Sequence, residues 1–476
     1  MTDTPTDHPV IVWFRRDLRL SDNPALSEAV KTGKPVIAVY VMETDVAREL
    51  GGASKWWLHH SLTKLSHALD AIGSKLILRR GKAGEILDDI INQSAADMVM
   101  WNRRYAGDAR ERDAAIKSTL KDRDLTVKSY RANLLSEPWS VETKSGGYYK
   151  VFTPYWRAAK DFIDVSDPIP APTSVNHYGG GIKTDTLDDW TLLPTKPDWG
   201  EKLAPHWSIG PEGAHKALES FLDGPVENYA DDRNRPDYED GTSRLSPHLA
   251  NGEISPREIW HACKDNEYTS RKFLTEIGWR EFSYVLLFHH PDLASANYKD
   301  DFDKFPWESN QDALKAWQHG KTGYPFVDAG MRQLWQTGWQ HNRVRMVTAS
   351  FLIKHLLIDW REGEKWFHDT LVDADPASNA ASWQWVAGSG ADASPYFRIF
   401  NPFTQGEKFD PNGDYVRKYV PEIAKLPKKY IHRPWEAPQN VLDYAGVKLG
   451  KTYPKPIVEH KPARERALAA YKESRS

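Results

Sequence analysis

The stretch PVIVWF (residues 9–14) begins the pattern that decides the fold, because four similar apolar runs follow it within the first 135 residues. Helical segments such as SKWWLHHSLTKLSHALDAI (54–72) separate these runs. Strand and helix alternating in this way predict a parallel β-sheet with helices on both faces, an α/β domain of Rossmann-like type. The four later runs are GKPVIAVYVM (33–42), KLILRRG (75–81), DMVMW (97–101) and LTVKSY (125–130).

The rest of the chain changes character twice. Residues 136–205 are rich in Pro, Gly, Asp and Thr, a composition that predicts an interdomain linker. From residue 206 to 476 helical periodicity dominates. A chain of 476 residues exceeds one ordinary core. We therefore expect an α/β domain (1–135), a linker (136–205) and an all-α C-terminal domain (206–476).

Composition excludes several classes of protein. The N-terminus MTDTPTDHPV is polar and no apolar run approaches the roughly 20 residues that span a bilayer, so we expect a cytoplasmic protein without a membrane partner. The single cysteine, Cys263, excludes an intrachain disulfide and a multi-cysteine metal site, and no metal is expected. With a net charge of −3, binding to nucleic acid would need cations concentrated on one face.

Tryptophan is unusually frequent, at 20 of 476 residues. In DADPASNAASWQWVAGSGADASPYFRIFNP (373–402), Trp383 and Trp385 follow Asp373 and Asp375 closely. Core packing by the rings and helix capping by the acids would explain this stretch without any function. The large number of indoles in the whole chain indicates either a functional use or an unusual core.

The segment RKFLTEIGWREFSYVLLFHH (271–290) predicts a helix with an unusual face. Glu276, Trp279 and Arg280 follow i, i+3, i+4 spacing and share one side of that helix. A carboxylate, an indole and a guanidinium together are typical of a cleft wall. A surface ion pair beside a packed ring explains them equally well.

A second predicted helix, HNRVRMVTASFLIKHLLIDW (341–360), places Asn342, Arg345 and Met346 on one face before a long apolar run. A buried arginine requires a carboxylate partner. Asp373 or Asp375 could supply it.

The stretch YADDRNRPDYEDGTSRLS (229–246) ends in hydroxyls, an arginine and backbone donors beside an expected helix start. Such a combination suits a phosphate group, although a helix N-cap explains Thr and Ser there as often. GSGADA (388–393) fits the wording of a dinucleotide fingerprint. We reject it because no predicted strand precedes it and Pro395 follows almost at once.

Taken together, long motifs in a fixed order make the chain resemble the photolyase and cryptochrome family, and within it the class I-like enzymes that repair cyclobutane pyrimidine dimers. The resemblance implies an N-terminal α/β domain, a linker and a helical domain that holds one FAD in a U shape, the layout predicted above. The motifs are VIVWFRRDLRLSDNPAL (10–26), VFTPYWRA (151–158), DGTSRLSPHLANGEISPRE (240–258), WREF (279–282), KTGYPFVDAGMRQLWQTGWQHNRVRMVTASFLIKHLLIDWREGE (321–364), WQWVAGSGADASPYFRIFNPFTQGEKFD (383–410) and PIVEHKPAR (456–464).

The resemblance also implies which residues bind FAD. Asn379 matches an asparagine that faces the flavin N5, where an amide can bond without adding negative charge. Arg345 would favour an anionic reduced flavin. The positions matching the family's FAD ligands are Tyr229, Thr242, Ser243, Arg244, Leu245, Ser246, Trp339, Asn342, Arg345, Asp373, Ala374, Asp375 and Asn379.

For the reaction, the resemblance implies that a fully reduced flavin absorbs blue or near-ultraviolet light and gives one electron to a pyrimidine dimer, whose two linking bonds then break. The cofactor supplies this chemistry while the protein orients it. Trp383, Trp360 and Trp307 match a chain of tryptophans that carries an electron from the surface to the excited flavin.

The expected partner is ultraviolet-damaged DNA, bound by a monomer. Photolyases are among the enzymes that extrude their target base from the helix. In the family's lesion pocket Trp279 and Trp385 form apolar walls, Glu276 and Asn342 bond the polar edges of the dimer, and Met346 lies against it. The candidate phosphate contacts are Arg280, Arg343, Arg398 and Lys408, the last of which could equally be an ordinary solvated lysine.

Differences from other branches of the family bear on the lesion that is repaired and on the antenna chromophore. Relatives that act on the (6-4) photoproduct carry two histidines where this chain has Asn342 and Met346, and plant cryptochromes carry an aspartate at the position of Asn379. Both differences favour dimer repair. Folate-binding relatives have a glutamate where this chain has Ala109, so the antenna chromophore stays open: folate, deazaflavin or none.

Two alternatives remain. A cryptochrome would keep the flavin and the tryptophans but signal in response to blue light, and would be expected to carry a long C-terminal extension. A Trp-rich nucleic-acid-binding module would stack its rings on bases and hold no cofactor, so it would be colourless.

Overall fold

The computed structural model describes residues 8–163, 166–264, 267–392 and 397–475, without the side chains of 267–269. The chain divides into two compact units. Unit 1 comprises Met1–Ser220 and Arg244–Pro291, and unit 2 comprises Phe221–Ser243 and Asp292–Ser476. Within the described ranges, no helix is both long enough and apolar enough to cross a membrane.

Unit 1 contains the predicted parallel sheet, with strand order β3-β2-β1-β4-β5. Residues along β1 alternate between two cores: Val10, Val12 and Phe14 pack on one face, and Ile11 and Trp13 pack on the other. Burial on both faces explains why the strands are unbroken apolar runs. The strands are β1 (Val10–Phe14), β2 (Val36–Glu43), β3 (Leu76–Gly81), β4 (Met98–Asn102) and β5 (Thr126–Tyr130).

Helices cover both faces of this sheet, as predicted. The first core includes residues of α1 and α2, and the second includes residues of α3 and α4. The helices of unit 1 are α1 (Pro24–Lys31), α2 (Gly52–Ala71), α3 (Ala83–Ser94), α4 (Gly107–Lys121), α5 (Phe152–Ala159), α6 (Gly200–Leu203), most of α7 (Pro211–Leu222), α9 (Ser246–Asn251), α10 (Pro256–Ala262) and α11 (Glu267–His289).

Part of the segment predicted as a linker packs against the sheet. Val175 and Trp190 belong to the first core, and His177 forms a parallel bridge with Val36. The compact unit that contains the sheet also takes in residues 136–220 and 244–291. The predicted domain boundaries stay a prediction.

Unit 2 is helical, and no strand occurs among the described residues after β5. Its largest core contains Trp317, Trp360 and Trp383 together with aliphatic residues of the surrounding helices. The helices of unit 2 are α8 (Tyr229–Asp232), α12 (Gln311–Gln318), α13 (Pro325–Thr337), α14 (Asn342–Ser350), α15 (Trp360–Thr370), α16 (Pro376–Ala387), α17 (Pro402–Phe409), α18 (Asp414–Tyr419), α19 (Gln439–Ala445) and α20 (His460–Glu473).

Candidate active site

Helix α14 organises the candidate site in unit 2. It begins where the His341 ring nitrogen Nδ1 accepts a hydrogen bond from the backbone N–H of Arg343 at 3.1 Å. Val344 and Val347 face the core, whereas Asn342 is exposed and Met346 is half-buried. The helix does not run to residue 360 as the sequence pattern indicated, because a π-helix (Phe351–His355) follows it and α15 begins at Trp360.

Arg345 of α14 is paired with Asp373, one of the two acids considered from the sequence. Its Nη2 donates to both carboxylate oxygens, at 2.8 and 3.1 Å, and its Nε donates to the Gln340 carbonyl at 2.7 Å. The guanidinium also lies 5.9 Å from the ring centroid of Trp339. The pair therefore fixes a cation beside an indole, next to the buried Ala374.

Asp375 is the N-cap of α16. Its Oδ1 accepts from the backbone N–H groups of Ala377 at 3.0 Å and Ser378 at 2.7 Å, so the capping role considered for this acid is present. The backbone N–H of Asn379 donates to the Asp375 carbonyl at 3.0 Å. The cap thus sets where the Asn379 side chain leaves the first turn of the helix.

The side chain of Asn379 is oriented by a residue that sequence reasoning missed, Glu364. The amide nitrogen of Asn379 donates to the Glu364 carboxylate at 2.8 Å and to its carbonyl at 3.2 Å. No hydrogen bond among the described residues uses Oδ1 of Asn379, which leaves this oxygen available as an acceptor. A reduced flavin carries a hydrogen on N5 that needs an acceptor, and the Asn379 oxygen fits that requirement.

The three tryptophans of the expected electron path belong to one region of unit 2. Trp383 and Trp360 are 2% and 0% exposed in its core, while Trp307 is half-buried and packs against the same core. Gly363 makes room for Trp383, since a Cβ there would lie 2.1 Å from the ring. Trp360 donates its indole N–H to Asn297 at 2.9 Å. Exposure therefore rises from Trp383 and Trp360 to Trp307.

Helix α11 lies in unit 1 and carries the first part of the expected lesion pocket. Trp279 stacks on Phe152 with ring centroids 3.8 Å apart and planes 9° from parallel. Glu276 forms an ion pair with Lys272 at 3.0 Å, and Arg280 donates to the Asn133 carbonyl at 2.6 Å. The ion pair and the packed ring that would explain these residues without a binding role are thus both present. The pocket roles of these three residues stay predictions.

The stretch 229–246 crosses the boundary between the units, which falls between Ser243 and Arg244. Tyr229 begins α8 in unit 2, packed edge-on to Phe221 at 5.4 Å. Arg244 adopts a left-handed backbone conformation with φ of 54°, a strained state for a residue with a side chain. Leu245 precedes and Ser246 begins α9, so the expected helix start is present, and the role of Thr242, Ser243 and their neighbours toward phosphate stays a prediction.

Three of the four predicted phosphate contacts belong to unit 2. Arg343 donates to the Asn234 amide oxygen at 2.6 Å. Burial and the nearby charges of Arg233 and Arg398 lower the pKa of Arg343. Arg398 is exposed, as is Lys408. The structure therefore gathers Arg343 and Arg398 with Arg233, which the sequence analysis did not single out.

Trp385 and the rejected fingerprint occupy the end of α16. Trp385 donates its indole N–H to the Asp392 carbonyl at 3.1 Å. A helix rather than a strand precedes Gly388, in agreement with the rejection of GSGADA, whose last residue, Ala393, lies with Pro395 outside the described residues.

Of the missed residues, Glu364 had a signal in the sequence. It follows Trp360 by four residues and precedes Phe367 by three, so it belongs to the apolar face of α15, where it is 3% exposed. An acid on such a face requires a buried partner. Asn234 and Asn297 carried no comparable pattern.

Comparison with known proteins covers both units. A family model described as DNA photolyase matches residues 10–173, and one described as FAD binding domain of DNA photolyase matches residues 273–473. A deoxyribodipyrimidine photo-lyase of Agrobacterium fabrum is 57% identical over 97% of both chains. Cryptochrome-1 of Arabidopsis thaliana is 39% identical over 94% of this chain and 68% of that protein.

A solved structure described as a bacterial class III photolyase from Agrobacterium tumefaciens superposes with a TM-score of 0.96, at 56% identity, covering 100% of this chain and 99% of that one. The class I-like assignment is therefore not confirmed. Matches of this extent include the helices that position Arg345, Asp373 and Asn379. The chain belongs to the DNA photolyase and cryptochrome family.

Proposed function

We propose that this protein repairs cyclobutane pyrimidine dimers in ultraviolet-damaged DNA in a light-dependent reaction that uses FAD. The observation that carries the proposal is the identity of 57% over 97% of both chains with a protein named deoxyribodipyrimidine photo-lyase. The match to an FAD binding domain over 273–473 includes α12 to α20. It also argues against a module without a cofactor.

Bound FAD would supply the absorption of light and the electron that opens the dimer. The residues around it would hold and tune it. Arg345, paired with Asp373, would place a positive charge that favours an anionic reduced flavin. Asn379, held by Glu364, would present its carbonyl oxygen to the hydrogen on N5 without adding negative charge. Trp383, Trp360 and Trp307 would pass electrons between solvent and the flavin.

The damaged DNA would be bound by the residues that match the lesion and phosphate contacts of the family. Asn342 and Met346, on the accessible side of α14, would contact the flipped dimer. We also assign contacts with the dimer to Trp385 and to Glu276 and Trp279 of α11. Arg343, Arg398, Lys408 and Arg280 would bind phosphates. We further propose a monomer located in the cytoplasm.

The test is to mix purified protein with ultraviolet-damaged DNA and to compare dimer content after blue light and after darkness. We expect dimers to disappear only in the light. Flavin bound with unchanged dimer content would favour the cryptochrome alternative, and protein that neither holds nor takes up flavin would exclude both.

A matched variant sharpens that assay. Glu276→Ala should retain flavin and lower the repair yield, because the carboxylate is proposed to bond the dimer and not the cofactor. An unchanged yield would remove this role from Glu276.

A further inference from the structure

Lys354 is a buried cation to which none of the roles above is assigned. It belongs to the π-helix that follows α14 and is 2% exposed. No carboxylate among the described residues pairs with it. Burying a charge without a counter-ion is expensive, and an apolar side chain of similar size would pack there at lower cost. A specific contact must therefore account for a lysine at this position.

That contact is with the segment that carries Arg398. The Nζ of Lys354 donates a hydrogen bond to the backbone carbonyl of Arg398. It also lies 4.3 Å from the ring centroid of Phe397. The Phe397 ring is itself stacked on Tyr471, with centroids 4.5 Å apart. The ammonium thus sits between an aromatic face and the main chain at the base of Arg398.

A second anchor lies four residues earlier on the same helical run. The hydroxyl oxygen of Ser350, the last residue of α14, accepts the backbone N–H of Phe400 at 3.3 Å. Arg398 and Phe400 are two residues apart, so Lys354 and Ser350 hold the same short segment at two points. In the π-helix the Leu356 N–H donates to the Phe351 carbonyl, a five-residue step. Such wide turns are frequent at functional sites.

Helix α14, which leads into the π-helix, carries Arg343, whose pKa is lowered in part by the charge of Arg398. One continuous run from Asn342 to His355 therefore bears one candidate phosphate contact and anchors the backbone of another. A carboxylate side chain at position 354 would have no hydrogen to donate to the Arg398 carbonyl, and its negative charge would offset the positive charge of Arg398. A lysine donates to the carbonyl and adds no negative charge beside Arg398.

We propose that Lys354 is a positioning residue for DNA binding, which holds Arg398 beside Arg343 so that both guanidinium groups engage the phosphates flanking the lesion. The inference rests on the proposed function. It assigns no contact with DNA to Lys354 itself, since its side chain is buried.

The test uses the full-length FAD-loaded protein and two variants. Lys354→Met removes the donor at similar size, whereas Lys354→Gln removes the charge but keeps a side-chain N–H donor. Binding to a duplex with one pyrimidine dimer is measured as a function of salt, in the wild-type and Arg398→Ala backgrounds. We expect Lys354→Met to make the slope of log K against log salt shallower by about 0.9, the effect of one lost phosphate contact. In the Arg398→Ala background it should change nothing, and Lys354→Gln should restore most of the slope.

Equal effects of Lys354→Met in both backgrounds would mean a general structural role and would overturn the inference. No effect of Arg398→Ala alone would overturn it too, because Lys354 would then position a residue that binds no phosphate. If Lys354→Met fails to fold, Ser350→Ala takes its place and should show the same dependence on Arg398.

A measurement without DNA separates this inference from the proposed function. Amide hydrogen exchange reports the Phe400 N–H directly. We expect faster exchange in residues 397–401 for Lys354→Met and wild-type exchange for Lys354→Gln, with flavin content unchanged in both. Unchanged exchange in Lys354→Met would refute the anchoring even if the wild-type protein repairs DNA. Faster exchange in Lys354→Met, together with a wild-type protein that repairs no dimers, would support the anchor and refute the proposed function.

Discussion

Two groups of cations, one in each unit, have different kinds of partner: acids in unit 1 and neutral groups in unit 2. In unit 1, Arg15, Arg104 and Arg112 lie around the carboxyl ends of β1, β2 and β4 and pair with acids. Asp113 accepts from Arg15 at 2.9 Å and from Arg104 at 2.6 Å. Glu43 accepts from Arg112 at 2.7 Å and also pairs with Arg104. Burial opposes the charge of Arg104, but Asp113 and Glu43 hold its pKa above the ordinary value.

In unit 2, Arg343 at the start of α14 and Lys354 beyond its end have neutral partners. Arg343 contacts an amide oxygen of Asn234 and lies 4.4 Å from the Phe409 ring. Lys354 contacts a backbone carbonyl and a ring. Burial lowers the pKa of both cations, and neighbouring cations lower it further. Charges matched by acids stabilise the fold, whereas charges matched by neutral groups keep a positive field for an anionic ligand.

The largest expected difference between the two groups is in stability. Arg104→Ala leaves Glu43 and Asp113 buried with one cation fewer, and we expect the free energy of unfolding to fall by about 3–5 kcal/mol. Urea denaturation measures it. Lys55→Ala, which removes an exposed pair with Glu49, is the control and should cost less than about 1 kcal/mol. Equal losses in the two variants would mean that the network is no more than a set of surface pairs.

Arg345→Ala tests the one matched cation of α14. Asp373 would remain buried and lose its ion pair with Arg345, so we expect a loss of about 2–3 kcal/mol in stability and a lower ratio of FAD to protein. Flavin absorbance per chain measures the second effect. Arg345→Lys, which keeps the charge but not the Nε–H that donates to the Gln340 carbonyl, should lie between the variant and the wild type. Full flavin content in Arg345→Ala would show that this pair does not support the cofactor.

The pH dependence of stability probes the unmatched group. Burial and the charge of Arg398 lower the pKa of Lys354 to about 7, whereas an unfolded lysine titrates at about 10.4. Between these values the unfolded chain binds more protons, so the free energy of unfolding rises with pH. From pH 7 to pH 9 we expect the wild type to gain about 2 kcal/mol relative to Lys354→Met. Parallel pH profiles of the two proteins in urea denaturation would contradict a depressed pKa.

The smallest effect on folding is expected at Arg343. Arg343→Ala should lower the slope of log K for DNA against log salt by about 0.9 and change stability by less than about 1 kcal/mol. Arg104→Ala, where it remains folded, should leave that slope unchanged. If both arginines altered the slope equally, the distinction between matched and unmatched cations would have no bearing on DNA binding.

The predictability of these regions follows from the range of the interactions that build them. The strands of unit 1 were predictable because each buries both faces, which a local apolar run records. The spacing of Asn342, Arg345 and Met346 indicated their common face on α14, and the need of Arg345 for an acid was also predictable. The choice of Asp373 over Asp375 was not, because Asp375 is used by the first turn of α16.

Other features had no local signature. Lys354 interrupts an apolar run, so its burial could be suspected, but its acceptor is a backbone carbonyl 44 residues away. Every residue has such a carbonyl, so no pattern of side chains marks the one that is used. The packing of residues 175–192 on the sheet was hidden for a related reason, since their Gly and Asp content indicates only that the backbone turns.

The sequence by itself determined the doubly covered parallel sheet, the helical remainder, the family and the set of residues expected to serve the flavin and the lesion. These depend on local periodicity and on long motifs, which a single chain displays directly. Only the tertiary structure decided which acid neutralises Arg345, that Glu364 orients Asn379, and that Lys354 bonds the backbone of Arg398 and Ser350 that of Phe400. Those pairings join residues distant in sequence, and burial and hydrogen-bond geometry in the folded chain select them.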